Sequence, residues 1–227
     1  DKKLFLKLIN GYQEYKEELH LIDFDDMLQK AYEIMVNDKE CLDFLRNKYR
    51  YIQVDEYQDT NLIQKDIIYL LAGQDGNLAV VGDDDQSIYA FRGAKPEIML
   101  NFQKEYPKSK MVKMSTNYRS GKKIISEADR VIKSNTNRFQ KDFIGFKPEN
   151  GAVEYIVTEE KKDEILKIYS RIKKLLNDGE NPADIAVLFR TNRQAEKMAA
   201  ILFRNQIPFQ SNEKIQSKYE HWMFQDL

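Results

Sequence analysis

The sequence predicts an α/β protein with parallel sheets and flanking helices. Two observations support this fold class. Short apolar runs of strand length alternate along the 227 residues with longer patterns that have the period of amphipathic helices. The length of 227 residues is enough to bury a full core, and the hydrophobic fraction of 42% with 32% charged residues fits a globular protein. This alternation is typical of parallel strands joined by helical crossovers.

The elements follow in order from the N-terminus. Residues 1–20 are predicted to form a polar helix with an apolar stripe, and residues 22–35 a second helix with Asp23 as its N-cap. Strands are predicted at residues 51–54, 78–81, 111–114, 153–157 and 185–189. Further helices are predicted at residues 61–72, 95–106, 121–135, 159–179 and 193–206.

The composition restricts the class of protein. Lys and Arg number 36 and Asp and Glu 37, so the net charge of −1 carries no bulk signature of nucleic-acid binding, and local basic and aromatic residues would have to contact such a partner. The single cysteine, Cys41, excludes an internal disulfide and fits a reducing, cytoplasmic compartment. Two histidines and one cysteine argue against a zinc site. The longest apolar runs are strand-sized, which argues against a membrane span.

In the stretch "YIQVDEYQDTN" (51–61), an apolar run is followed directly by two adjacent acids, Asp55 and Glu56. Ligands of open α/β sheets collect beyond the carboxyl ends of the strands. A Mg²⁺ carrying phosphates would offset the repulsion between the two acids, with one carboxylate holding the ion and the other orienting the attacking water. The alternative is that these acids, with Asp59, only cap the next helix.

The stretch "LAVVGDDDQSIYAFRGAKP" (78–96) repeats this pattern after the second strand. Gly82 permits a tight turn of the backbone where the strand ends, and three acids follow it. The neutral amide of Gln86 is suited to sensing a γ-phosphate or its water. Tyr89, Phe91 and Arg92 alternate aromatic rings with a cation, which suits base stacking on a single strand. The alternative is an acidic loop followed by two core aromatics and a surface arginine.

The stretch "STNYRSGKK" (115–123) follows the third predicted strand. Tyr118 is suited to stacking on a flat ring, and Arg119 to reaching a transferring phosphate as an arginine finger. Ser120 is predicted to be the N-cap of the following helix. The alternative is that the tyrosine and arginine only tie the loop to that helix.

Together these stretches resemble the motifs of superfamily one helicases of the UvrD/PcrA/Rep type. "VDEYQDTN" resembles their motif II, "VVGDDDQSIYAFRGA" motif III and "NYRS" motif IV, in the same order. "LIDFDDML" (21–28) resembles a segment upstream of motif II, and "IAVLFRTNRQAE" (185–196) resembles a strand and turn of the second RecA-like domain that meets DNA. The resemblance runs from about residue 18 to about residue 210.

The resemblance implies ATP and Mg²⁺ as cofactors and a role for each motif residue. Asp55 would hold Mg²⁺, Glu56 would activate the hydrolytic water, and Gln86 would couple the γ-phosphate to DNA. Tyr118 would stack on adenine and Arg119 would supply the finger. Single-stranded DNA would be contacted by Tyr89, Phe91, Arg92, Arg190, Thr191 and Asn192.

The resemblance also implies parts of two RecA-like (P-loop NTPase) domains. Residues 1–114 would be the C-terminal part of the first, with the end of an inserted helical subdomain at 1–20, and residues 115–227 the N-terminal part of the second. The family's G-x-x-x-x-G-K-[ST] P-loop and its motifs V and VI do not occur in the sequence, and Phe91 stands where many relatives carry tryptophan. The chain starts at Asp1 and ends in an apolar "HWMFQDL", so we expect an excised piece that is inactive alone.

The implied function is that of a 3′–5′ DNA helicase or translocase in repair, replication or recombination, which acts on single-stranded and partly duplex DNA. A helicase–nuclease subunit resembling AddA or RecB is an alternative within that class. A second alternative is a non-catalytic module that binds single-stranded DNA and lacks a P-loop. A metabolic α/β enzyme is a third, although no substrate pocket can be identified for it.

Overall fold

A computed structural model describes residues 2–74 and 76–211 of the chain. The chain divides into two compact units, Asp1–Val153 and Glu154–Leu227, which we call the N-terminal and C-terminal units and describe separately. Both sheets of the described residues are small and parallel, which confirms the predicted mixed α/β class. The predicted boundary between residues 114 and 115 is a different division and stays a prediction.

The N-terminal unit alternates helices with short strands. Its helices are α1 Lys2–Glu18, α2 Phe24–Asn37, α3 Lys39–Lys48, α4 Leu62–Ala72, α5 Pro96–Leu100, α6 Phe102–Glu105 and α7 Lys122–Ile132. Its strands are β1 Tyr51–Val54, β2 Asn77–Val80, β3 Thr116–Asn117 and β4 Ile144–Gly145. The helix α3 was not predicted, and the predicted helix at 95–106 is interrupted at Asn101.

The strands β1 and β2 form a parallel pair in which Tyr51 lies opposite Asn77 and Val54 opposite Val80. Both strands alternate exposed and half-buried residues, as expected for a sheet with one covered face. The pairing continues beyond the strands, because the Val81 N–H donates to the Val54 carbonyl at 2.8 Å and the Tyr57 N–H donates to the Val81 carbonyl at 2.9 Å. The loops that follow the two strands therefore leave the sheet side by side.

The core of the N-terminal unit lies beneath these loops. Tyr57 is fully buried, and its ring contacts that of Phe102 edge to face at 5.8 Å. Ile98 completes the buried centre. Half-buried apolar residues pack around it: Val54, Ile68, Tyr69, Leu78, Val80, Met99 and Tyr106.

The entry to α2 follows the prediction for Asp23. This residue is the N-cap, and it exchanges hydrogen bonds with Asp26 in a capping box. The ammonium group of Lys16 on α1 lies 2.8 Å from Asp23 and 2.6 Å from Asp26, so the buried lysine ties α1 to α2. The hydrogen bond from Lys16 lowers the pKa of Asp23. No helix within residues 2–74 and 76–211 is both long and apolar enough to cross a membrane.

In the C-terminal unit, α8 Lys161–Asn177 packs on α9 Asn192–Arg204. Ile172 from α8 meets Met198 and Leu202 from α9 in a buried cluster. Three alternate residues of the predicted strand at 185–189 pack on this cluster, and Leu188 between them is 93% exposed.

Three predicted strands are wrong as strands. Residues 111–114, 153–157 and 185–189 are not assigned as strands, although Thr116–Asn117 just beyond the first of them pairs with Ile144–Gly145. The physical reason is that a strand is stabilised by hydrogen bonds to a neighbour, and these runs form no ladder with any described residue. Val112, Met114 and Val157 are largely exposed.

The core makes a prediction about stability. Replacing Phe102, which is 9% exposed, by alanine should lower the free energy of unfolding by about 3–5 kcal/mol, because it removes a buried ring and leaves a cavity. Phe91→Ala is the matched control, since that ring is 78% exposed and should cost far less. Urea denaturation followed by circular dichroism measures both changes, and equal losses would contradict the assignment of the core.

Candidate functional site

The residues that follow β1 and β2 meet at one edge of the sheet. Gln58 donates from Nε2 to Glu56 Oε2 at 2.7 Å and accepts at Oε1 from the Asp83 N–H at 3.0 Å. Asp83 Oδ2 in turn accepts from Gln86 Nε2 at 2.8 Å. A continuous chain of hydrogen bonds therefore joins Glu56 and Gln86, which were singled out separately in the sequence.

Gln58 is the residue that sequence reasoning missed in this arrangement. Its side chain is almost fully buried, at 1% exposure, and its backbone carbonyl accepts from the Ser87 hydroxyl at 3.2 Å. A buried amide needs partners for both ends, and Glu56 and Asp83 provide them. The feature of the sequence that could have pointed to Gln58 is the position of its amide among the acids of "DEYQDTN".

The backbone of Glu56 lies in the left-handed region, with φ 50° and ψ 42°. A residue other than glycine, asparagine or aspartate rarely adopts this conformation, and holding it costs on the order of 1–3 kcal/mol. The Glu56 N–H donates to Asp55 Oδ1 at 2.9 Å, and the Glu56 carbonyl accepts from the Asp59 N–H at 2.9 Å. The strained turn holds Glu56 exposed at the carboxyl end of β1.

Neither Asp55 nor Glu56 caps a helix with its side chain. Glu56 stands at the N-cap position of the short 3-10 turn Tyr57–Asp59, but its side chain forms no capping hydrogen bond there. The N-cap of α4 is Asn61, which forms a capping box with Gln64. Neither acid forms an ion pair with a Lys or Arg in the part of the chain that the structure describes. The capping alternative is therefore wrong for these two residues, and their charge is left for something else to balance.

Each of the three acids after β2 contacts a cation of the chain itself. Arg138 donates to both oxygens of Asp85, at 2.7 and 2.5 Å, and Lys141 contacts Asp83, Asp84 and Asp85. The hydrogen bonds from Arg138 lower the pKa of Asp85. Burial raises the pKa of Asp83, but the hydrogen bonds from Lys141 and Gln86 outweigh it, so the net shift is downward. Both cations come from the polar stretch 135–151, for which the sequence predicts only a long loop.

A metal bound entirely by protein groups does not fit the described residues, because no group of three or more His, Cys, Asp or Glu side chains could hold one. A Mg²⁺ that arrives with phosphates needs only one or two carboxylates, since phosphate and water oxygens complete its shell. The exposed carboxylate of Asp55 fits that requirement. Asp83, Asp84 and Asp85 do not, because Lys141 already contacts them.

Tyr118 and Arg119 follow the carboxyl end of β3. Asn117 holds their loop, because its Oδ1 accepts the N–H groups of Arg119 at 3.0 Å and Ser120 at 2.9 Å. The Tyr118 ring packs on Phe146 at 4.9 Å and is otherwise exposed. The Arg119 side chain is exposed and forms no ion pair with any described residue. Ser120 is not the N-cap of α7, because that position belongs to Gly121.

Tyr89, Phe91 and Arg92 form an exposed cluster. The two rings lie 6.0 Å apart, and the Arg92 guanidinium lies 5.1 Å from the Tyr89 ring and 5.4 Å from the Phe91 ring. Phe91 is 78% exposed, so the alternative that these rings belong to the core is wrong. Exposed rings with a cation beside them offer faces on which bases can stack.

Arg190, Thr191 and Asn192 begin α9 in the C-terminal unit. Thr191 is the N-cap, and Gln194 Oε1 accepts the N–H groups of Arg190 and Thr191, each at 3.1 Å. All three residues are exposed. Their local contacts explain the start of the helix, and any contact with a partner stays a prediction.

Comparison with known proteins supplies two family matches that cover most of the chain. Residues 1–107 match the UvrD/REP helicase N-terminal domain, and residues 112–219 match the UvrD-like helicase C-terminal domain. YjcD of Bacillus subtilis (strain 168) is 37% identical over 218 residues, which are 96% of this chain and 29% of that protein.

Two staphylococcal relatives give the same picture. The ATP-dependent DNA helicase PcrA of Staphylococcus epidermidis (strain ATCC 12228 / FDA PCI 1200) is 36% identical over 199 residues, which are 88% of this chain and 27% of that helicase. PcrA of Staphylococcus aureus (strain Mu50 / ATCC 700699) is 36% identical over 200 residues, with the same shares. The chain therefore spans less than a third of the relatives that it matches.

The position of Gln58 makes a prediction about Gly82. A Cβ at residue 82 would lie 2.4 Å from Gln58 Oε1 and 3.0 Å from the Tyr57 nitrogen, so Gly82→Ala should displace the buried amide. We expect a loss of about 1–3 kcal/mol in unfolding free energy, as for an overpacked core. Gly11→Ala is the control, because Gly11 lies in α1 with nothing within 4 Å of the added carbon. That change should be neutral or stabilising, and a Gly82→Ala chain as stable as Gly11→Ala would contradict the close approach.

Proposed function

We propose that this chain, which belongs to the UvrD-like helicase family, is the internal part of an ATP-dependent DNA helicase or translocase. The parent would move 3′ to 5′ along single-stranded DNA in the cytoplasm and would unwind duplex in repair, replication or recombination. Residues 1–114 would belong to the first RecA-like domain and residues 115–227 to the second. A helicase–nuclease of the AddA or RecB kind is the alternative within the family.

The observation that carries the proposal is the difference between the two acidic groups at the sheet edge. The acids after β2 have buried cationic partners, whereas Asp55 and Glu56 have no such partner among the described residues. Adjacent unpaired carboxylates repel each other and favour a cation from outside. A nucleotide carrying Mg²⁺ would provide that cation at the carboxyl edge of a parallel sheet, where ligands of such sheets collect.

Each site residue has a role in this proposal. Mg²⁺ would neutralise charge on the phosphates as the terminal phosphoryl group transfers. Asp55 would hold the ion, and Glu56 would orient a water and take its proton. Gln86, the last member of the hydrogen-bond chain, would contact the γ-phosphate and so sense its presence. Tyr118 would stack on the base and Arg119 would approach the phosphate, since both are exposed on one loop.

The DNA contacts would come from both units. The cluster of Tyr89, Phe91 and Arg92 supplies stacking faces and a cation. Arg190, Thr191 and Asn192 at the start of α9 would add contacts to the backbone of the strand. A module that only binds single-stranded DNA would share these surfaces, so hydrolysis is what separates it from a helicase.

The first test measures hydrolysis. The 227-residue chain alone should not hydrolyse ATP, because backbone amides and the lysine of a P-loop provide most contacts to a triphosphate, and the sequence has none. In the full-length protein that carries this chain, Glu56→Gln should lower kcat by about 10²–10⁴-fold. Glu149→Gln, at an exposed residue, is the control.

Two results would count against the proposal. Turnover by the isolated chain that Glu56→Gln abolishes would show that the site is complete without a P-loop. Full activity of Glu56→Gln in the full-length protein would remove the carboxylate from the mechanism.

The second test measures DNA binding by fluorescence anisotropy with a labelled oligothymidine. Arg92→Ala should weaken binding and reduce the slope of log K against log salt by about 1, because one phosphate contact is lost. Arg50→Ala removes the same charge from an exposed position elsewhere in the N-terminal unit and is the control. Equal effects of the two substitutions, or salt-insensitive binding, would remove the cluster from the DNA interface.

A further inference from the structure

The three consecutive acids after β2 are held by two cations that lie more than 50 residues further along the chain. Arg138 reaches Asp85 across 53 residues, and Lys141 reaches Asp83 across 58. The acids lie in the stretch matched by the N-terminal family domain and the cations in the stretch matched by the C-terminal one. The contacts are therefore long-range and join the two matched stretches within one compact unit.

The cluster is largely shielded from solvent, and Asp84 at its centre is 5% exposed. The side chain of Arg138 is 5% exposed and that of Lys141 is 15% exposed. Asp84 also accepts the Phe139 N–H at 2.8 Å, so the backbone of the same segment takes part. Removal of one partner from a buried ion pair leaves an uncompensated charge, so we expect the loop to rearrange when either cation is removed.

The two oxygens of Asp83 have different partners. Oδ1 accepts from Lys141 and from the Asp85 N–H, and Oδ2 accepts from Gln86 Nε2 at 2.8 Å. Lys141 and the Asp85 N–H therefore hold one oxygen of the carboxylate, and the other oxygen holds the amide of Gln86. That amide keeps a second N–H and its carbonyl oxygen for other partners.

We propose that Lys141 is a positioning residue that aims Gln86 through Asp83, with Arg138 anchoring the same loop through Asp85. The inference rests on the proposed function, in which Gln86 meets the γ-phosphate. It goes further by assigning a role to residues outside the helicase-like motifs of the sequence. The position of segment 138–141 thereby sets the orientation of the Gln86 amide, the group that senses the γ-phosphate in the proposed function.

The activity test uses the full-length protein and single-stranded DNA-stimulated ATP hydrolysis. Lys141→Met keeps the length of the side chain but removes its charge, and should lower kcat about tenfold with KM within twofold, because the reporting group is misaligned. Lys141→Arg should restore most of kcat. Lys133→Met, at an exposed lysine paired with Asp129 on α7, is the control and should behave as wild type.

A double-mutant cycle separates positioning from general damage. If Lys141 acts through Gln86, then Lys141→Met combined with Gln86→Ala should have the same kcat as Gln86→Ala alone. Additive losses would overturn the proposal. A loss of kcat in Lys141→Met that Lys141→Arg does not restore would overturn it as well.

A spectroscopic measurement on the 227-residue chain tests the positioning without activity. The side-chain amide resonance of Gln86, assigned by its loss in Gln86→Ala, should shift in Lys141→Met and stay in place in Lys133→Met. An unmoved resonance in Lys141→Met overturns the proposal whatever the hydrolysis shows. If the resonance shifts but the wild-type full-length protein hydrolyses no ATP, the proposed function has failed and the catalytic purpose assigned to Lys141 falls with it.

Discussion

The candidate site depends on one buried amide. The Gln58 side chain joins the loops that follow β1 and β2, since one end donates to Glu56 and the other accepts from the Asp83 backbone. A buried amide that loses either partner carries a desolvation cost of about 1–3 kcal/mol, so the two loops are held in a fixed relation. The absence of a side chain at Gly82 gives the amide the space it occupies.

The charges at the sheet edge fall into two sets with different consequences. Asp83, Asp84 and Asp85 have their counter-charges in Arg138 and Lys141, so this set stabilises the loop at neutral pH. Asp55 and Glu56 are exposed. The chain's own cations therefore hold the loop after β2, whereas Asp55 and Glu56 have no ion-pair partner among the described residues.

Local patterns in the sequence predict local structure well here. The cap at Asp23, strand β1 and the helices α4, α7, α8 and α9 follow from periodicity and capping residues, because each depends on neighbours within a few positions. The strands at 111–114, 153–157 and 185–189 could not be decided in this way, because their pairing depends on distant segments.

The same limit applies to the site. The motif residues could be located because their types and spacing are characteristic, and the structure then joins Glu56 to Gln86. Gln58 could not be ranked above its neighbours, because its importance lies in a contact with the loop that follows the next strand. Arg138 and Lys141 were indistinguishable from other cations of a polar loop until the fold brought them to the acids.

The strained turn at Glu56 shows how the core determines the site. A left-handed glutamate persists only where its surroundings fix it, and the residue that fixes it is Tyr57. The Tyr57 ring is fully buried against Phe102, and its N–H is bonded to the Val81 carbonyl of the neighbouring chain segment. Burying an aromatic ring of this size contributes about 1.5–3 kcal/mol, which matches the order of the strain. The backbone that carries the exposed carboxylate is therefore anchored by the buried ring of the next residue, while Gln58 bonds the carboxylate itself. A substitution in the core beneath the Tyr57 ring would therefore displace Glu56 without contacting it.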